Sequence, residues 1–409
     1  MNPKLRAAPL KQSEMALVSY VLGDCPGCGA KNSFGNVDVY DHYVYLGCGA
    51  CRYNERLPLP PVKKKVLYLD QFFFSHAIRG KDAPFVEAAE RIAELAKLQL
   101  LVVPYSDVHE DETHQWAGHE RLLEFIKNTS RGYEFEPTYQ VVQTQLNRAF
   151  DAWRADGPDA YGPQRREAFR EEIDVWDGYF RIDVGEYHKD IELVRRLKAE
   201  AIDGLVDLFP GWRRSVTTFV QDVQLERDDA ARGYIGAFHT YMLRLAEGDY
   251  GALWNSPIDA TVVRNLTYRF PRDALPEDRL KRVIEFLTSE HFANTPYHDI
   301  QSRVYGTLKA MVRGGDYPNR DKSIARLSGF YFDVKHISTY APYCDAFLMD
   351  NAMAEIVNRG GVDLAGRYGV QVFSRNNWDA FLGWLEGLKD GLTTEHREGL
   401  KAAYPRLKV

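Results

Sequence analysis

Apolar and polar positions follow two different rhythms along this chain. Val66-Leu-Tyr-Leu-Asp70 is a short apolar run that ends in a carboxylate, and it predicts a buried strand. Gln71 to Ile78 then predicts a helix, and Pro84 to Leu98 repeats apolar residues at helical spacing. Leu98-Gln-Leu-Leu-Val-Val-Pro104 reads as a second strand. Ser106 is placed to cap a helix that runs through Trp116, Leu122, Leu123 and Ile126, with acidic residues in its first turn. Residues 66–127 therefore read β-α-β-α, the pattern of a parallel sheet. Residues 130–320 lack strand signals. Amphipathic helices dominate there, as in Ile191 to Leu208, Asp228 to Leu245 and Arg279 to Ser289, with a loop over Arg154 to Arg166. The first rhythm returns near Lys322. Ile324 to Tyr340 predicts a helix, Cys344 to Asp350 a strand, Asn351 to Arg359 a helix, Gly369 to Ser374 a strand, and Trp378 to Leu388 a closing helix.

The cysteines add a separate element in front of that pattern. Cys25, Cys28, Cys48 and Cys51 form two C-x-x-C pairs with nineteen residues between them, whereas Cys344 stands alone as a small buried residue. Two such pairs on tight turns complete a tetrahedral, all-thiolate zinc site, which is structural because no position stays open. Gly27, Gly29, Gly47 and Gly49 suit those turns. Val37 to Leu46 between the pairs is β-branched and aromatic, as a hairpin requires, and Arg52 to Leu59 supplies a third strand. Tyr40, Tyr43 and Tyr45 on that hairpin suit base stacking and cross-strand packing alike. Prolines at Pro58, Pro60 and Pro61 and the run Lys63 to Lys65 mark a boundary. The expected organisation is a zinc ribbon over 1–60, an α/β core over 61–130 and 321–409, and a helical insertion over 131–320.

Charge narrows the function classes. The 409 residues carry a formal net charge of −6, so any nucleic-acid contact must be local or helped by metal ions. No apolar run reaches the roughly eighteen residues of a membrane helix, and Met1 to Gln12 has no apolar leader. A cytoplasmic protein without membrane contact is expected. No phosphate-binding loop or dinucleotide fingerprint occurs.

The carboxylates carry the chemistry. Asp70 and Asp350 each end an apolar strand, and parallel strands point their C-terminal ends at one crevice. Glu112 and Asp333 lie on helices that start or pass beside that edge. Carboxylates clustered in one crevice repel unless a cation joins them, and oxygen ligands favour Mg²⁺ or Mn²⁺. Ser106, His109 and Glu112 are spaced three apart, and His336 lies one turn beyond Asp333. Both histidines either face the site or are satisfied core residues. Asp345 is either a further site residue or a strand-start cap.

The order of these elements resembles a PIN-like nuclease domain. The family's strand-end Asp matches Leu67-Tyr-Leu-Asp70, its helix-start acid matches Glu112, and its last two acids match Asp333 and Asp350, seventeen positions apart. The resemblance covers about a third of the chain, and the helical block 131–320 interrupts the usually compact domain. It implies a parallel-sheet core and a metal-dependent phosphodiesterase, with RNA favoured over DNA as substrate. Asp70, Asp333 and Asp350 then hold Mg²⁺ or Mn²⁺, and Glu112 binds metal or orients the attacking water. The ribbon and the insertion select substrate. Family habit adds a homodimer or a regulatory protein partner, and a toxin or antiviral-defence role. The alternatives are a catalytically silent module that binds nucleic acid or protein, and a DNA flap or nicking nuclease.

Overall fold

A computed structural model describes residues 15–79, 82–115, 118–179, 191–255 and 257–407. The segment Met1 to Gln12 and Trp116 lie outside them. The chain opens with an antiparallel sheet in the order β1-β2-β3-β4, formed by Tyr20–Gly23, Phe34–Tyr40, Tyr43–Cys48 and Asn54–Pro58. β1 is a fourth strand beyond the three expected. It is an edge strand whose apolar Val21 and Leu22 are exposed, so no in–out alternation marks it.

The second sheet is parallel throughout, in the order β6-β5-β7-β8. Its strands are Lys65–Leu69 (β5), Leu101–Val102 (β6), Ala346–Leu348 (β7) and Gln371–Phe373 (β8). Alternate residues of β5 enter two cores. Leu67 and Leu69 pack with the helices α1 (Gln71–Arg79), α2 (Ala83–Lys97) and Trp378–Asp390. Val66 and Tyr68 pack with the helices Pro296–Arg313 and Phe330–Tyr340. Burial on both faces is why these strands read as unbroken apolar runs.

β6 is shorter than the run Leu98 to Pro104 suggests. The N–H groups of Leu98, Gln99 and Leu100 cap the carbonyls at the end of α2, and Gln99 takes a positive φ of 59° to do so. The helix expected from Ser106 is two helices, α3 (Asp107–Thr113) and α4 (His119–Ser130), with Gly118 in a left-handed conformation between them. The helix expected over Ile324 to Tyr340 also divides, into Arg320–Arg326 and Phe330–Tyr340. A further helix, Thr394–Ala403, follows the one expected to close the chain.

The middle of the chain is helical. Helix α5 (Thr138–Arg154) and the helices Phe219–Ala246, Ile258–Thr267 and Pro276–Leu287 share a core of their own around Phe150, Val263 and Phe286. Phe219–Ala246 begins nine residues before the expected Asp228 because Thr218 caps it with a capping box to Gln221. Among the described residues, no helix is long and apolar enough to cross a membrane.

The antiparallel sheet is not a free arm. Its Val39, Val44 and Leu46 share a core with Trp176 and with Leu400 and Ala403 of the last helix. The buried Asn36 amide donates to the Ala402 carbonyl at 2.8 Å and to the Tyr179 hydroxyl at 3.1 Å. Trp176 donates its indole N–H to the Pro60 carbonyl at 2.7 Å.

Candidate functional site

Two clusters of chemistry-bearing residues stand out, one in each sheet. In the first, turns at the ends of β1–β4 bring the four cysteines together. Cys25 and Cys51 have sulfurs 3.7 Å apart, and Cys28 and Cys48 have sulfurs 3.9 Å apart. All four sulfurs lie within 4.8 Å of one another. A disulfide requires about 2.05 Å. Tetrahedral Zn–S bonds of about 2.3 Å place sulfurs about 3.8 Å apart, so the spacing fits a four-thiolate metal centre. The N–H groups of Gly27, Ala50 and Tyr53 donate to the sulfurs of Cys25, Cys48 and Cys51 at 3.3, 3.2 and 3.4 Å. Such bonds orient thiolate ligands and disperse their charge. The Ser33 hydroxyl, 3.3 Å from its sulfur, helps lower the Cys48 thiol to about 6. The Tyr53 N–H favours the Cys51 thiolate too, but burial and the neighbouring sulfurs outweigh it and push Cys51 up to about 12. Gly29 adopts a φ of +73° in the first turn, and a Cβ on Gly27 would meet the Tyr53 ring at 2.8 Å. On the hairpin, Tyr40 stacks on its cross-strand partner Tyr43 at 5.0 Å, with Arg56 over the Tyr43 ring.

The second cluster sits at the C-terminal edge of the parallel sheet. Leu69 and Leu348 are paired, so Asp70 and Asp350 follow the ends of adjacent strands, one residue out of step. The Asp70 N–H donates to the Leu348 carbonyl at 3.0 Å. Asp70 precedes α1, and Asp350 caps the helix Asn351–Val357 by accepting the Met353 N–H at 2.7 Å. Glu112 lies on α3, which Gln71 of α1 holds by donating to the Thr113 hydroxyl at 2.9 Å. Asp333 lies in the first turn of Phe330–Tyr340. All four acids are half-buried. Among the described residues, however, only the four cysteines bring three or more ligand atoms within 4.8 Å of one another. The carboxylates border one edge without forming a closed cage.

Beneath that edge lies a buried polar network centred on Tyr68. Its hydroxyl is 2.8 Å from Nδ1 of His336 and 3.3 Å from the Ser106 hydroxyl. Burial raises the Tyr68 phenol well above its ordinary value, and the charges of Asp70 and Glu112 add to the rise. Ser106 accepts the His109 N–H and caps α3. The Ser106 N–H donates to Nδ1 of His109, which assigns the ring proton to Nε2, and Nε2 donates to the Leu69 carbonyl at 2.8 Å. Enclosure lowers His109 to about 4, so it stays neutral at pH 7.

These positions sort the expected auxiliary residues. Ser106 and His109 are fully buried: Ser106 caps α3 as its position suggested, and His109 takes the second of its two readings, a satisfied core residue bonded to the strand end. His336 is buried against Tyr68. Asp345 is at the opposite edge of the sheet. It accepts the Val66 N–H and Lys65, both at 2.8 Å, and pairs with Arg165. It is a strand-start residue and not part of the acidic group. Tyr68 had no signal in the sequence beyond its hydroxyl, an atom that needs a partner in a buried strand.

No protein-family model, no curated protein and no solved structure matches this chain.

Proposed function

We propose that the chain is a metal-dependent phosphodiesterase of the PIN-like kind, with RNA as substrate. The observation that carries this reading is the placement of Asp70 and Asp350 just past the C-terminal ends of adjacent parallel strands, where ligands of open α/β sheets gather. Half-buried carboxylates are the donors that Mg²⁺ or Mn²⁺ takes, and Mg²⁺ commonly uses one or two of them with water and substrate phosphate. An open edge suits that mode, whereas an all-protein cage would need closer oxygens. On this reading Asp70, Asp333 and Asp350 hold the ion, which supplies Lewis acidity toward the phosphate and lowers the pKa of bound water. Glu112 orients that water. The cysteine cluster holds zinc and fixes the ribbon against the last helix, so its role is structural.

The carboxylates do not close into a cage, and this favours a second reading, a silent module that binds nucleic acid. One experiment separates the two. Purified protein with Mn²⁺ or Mg²⁺ is offered labelled single-stranded RNA, tRNA, and single- and double-stranded DNA, beside an Asp70→Asn, Asp350→Asn double variant. Asn caps helices as well as Asp, so the helix after Asp350 survives the change. Metal-dependent cleavage of RNA that the variant loses, at an unchanged melting temperature, supports the enzyme. Cleavage of DNA alone moves the substrate to the flap or nicking class. No cleavage by folded, zinc-loaded protein, or cleavage indifferent to the variant, overturns the proposal.

A further inference from the structure

A cavity of about 610 Å³, within the range of small-molecule sites, lies against two helices that also carry acids of the sheet edge. The same two helices serve both. Helix α3 gives Asp107 and Glu110 to the cavity and Glu112 to the edge. The helix Phe330–Tyr340 gives Tyr331 and Lys335 to the cavity and Asp333 to the edge. Residues two apart on a helix point about 200° apart, so the cavity lies across these two helices from the carboxylates, about one helix diameter away.

Its lining has three chemistries. Tyr234, Tyr297 and Tyr331 provide aromatic walls. Asp259, at the start of Ile258–Thr267, makes no hydrogen bond or ion pair with a described residue. Lys335 is half-buried and pairs with no described carboxylate. Flat rings stack on tyrosines, a carboxylate accepts from an edge that presents donors, and an ammonium takes a phosphate. Guanine alone among the common bases offers two adjacent donors on its pairing edge, N1–H and the N2 amino group, and one carboxylate can accept both.

We propose that this cavity receives an unpaired guanine of the substrate, with Asp259 reading its pairing edge, the tyrosines stacking on it and Lys335 meeting its phosphate. The inference rests on the nucleic-acid reading above and names the base that reading leaves open. Unstacked bases held between aromatic side chains are the usual targets of sequence-specific recognition in single-stranded RNA. The other carboxylates of the cavity disfavour a free polyanion, which leaves phosphate contact to the Lys335 side.

Calorimetric titration of the full chain with GMP, AMP, CMP and UMP, with no divalent cation added, tests the pocket without requiring cleavage. GMP should bind about tenfold or more tightly than the other three. Asp259→Asn should abolish that preference. Tyr331→Ala should weaken every nucleotide, and Lys335→Ala should weaken GMP but not guanosine. All three side chains are at least partly exposed, and circular dichroism confirms folding. Equal binding of the four nucleotides, binding of none, or a GMP preference that survives Asp259→Asn overturns the pocket. Asp70→Asn separates the two proposals: it should abolish cleavage and leave GMP binding intact. GMP binding by a protein that cleaves nothing would sustain the pocket while the enzyme reading fails.

Discussion

His298 should make this protein acid-labile, and His298→Leu should relieve the effect. The residue lies in the first turn of Pro296–Arg313, is 3% exposed, and packs against Phe292 at 4.5 Å and Tyr234 at 5.5 Å. Neither ring nitrogen bonds a described residue, and burial lowers its pKa from 6.5 to about 3. The folded value is depressed, so the stability is present above 6.5 and is lost as pH falls toward the folded value, because the unfolded chain binds a proton that the folded chain refuses. Each pH unit in that window costs about 1.4 kcal/mol. Between about pH 7.5 and about pH 5 this ring alone removes about 2 kcal/mol. Leucine is close in volume, carries no polar atom and suits a helix, so at neutral pH the variant should match or exceed the wild type by up to about 1 kcal/mol. Urea unfolding followed by tryptophan fluorescence at both pH values gives the two differences. The gap between variant and wild type should widen by about 2 kcal/mol at the lower pH. A gap that does not change with pH would refute a neutral, buried His298.

Three other perturbations test separate parts of the architecture. Asp299 is fully buried and takes Arg227 at 3.0 Å, Arg303 at 2.8 Å and Arg367 at 2.6 Å, so Asp299→Asn leaves three guanidinium groups facing one another and should cost about 3–5 kcal/mol in denaturant unfolding. Cys48→Ser should lower bound zinc, measured by mass spectrometry, from about one per chain to near zero, and should shift Trp176 emission to the red as the ribbon loosens from the last helix. Tyr68→Phe keeps the ring stack on Phe347 at 4.3 Å but strands Nδ1 of His336, and should lower the unfolding free energy by about 1–3 kcal/mol.

What the sequence disclosed and what it concealed divide along physical lines. The cysteine cluster was legible because its ligands come from two local turns with fixed spacing. Strands β5 and β7 were legible because burial on both faces leaves a continuous apolar run, and the carboxylate after each marks the sheet edge. The breaks at Gly118 and between Arg326 and Phe330 were not, since neither carries a proline and the segments on both sides favour helix. Asp345 and Asp350 flank one short strand, five positions apart, and only its direction tells that they face opposite edges. The docking of the ribbon was beyond reach altogether. Asn36 meets Ala402 across 366 positions, and no local pattern encodes such a pair.

The polar network under the sheet edge explains how carboxylates on separate segments keep their places without a cage. Glu112 rides on α3, whose start is fixed by Ser106 and whose His109 is bonded to the end of β5 at Leu69. Asp333 rides on a helix that His336 ties to Tyr68 of the same strand. Asp70 follows that strand directly, and Asp350 stands two residues after the end of its neighbour. One strand, directly or through its paired neighbour, is therefore the common reference for all four acids, and the histidine bonds that tie the two helices to it are buried. His109 stays uncharged at pH 7, so it adds no cation that would compete with a metal for the carboxylates. The edge is positioned from below, and among the described residues its acids do not close on one another, which on the proposed reading suits an ion whose coordination substrate phosphate completes.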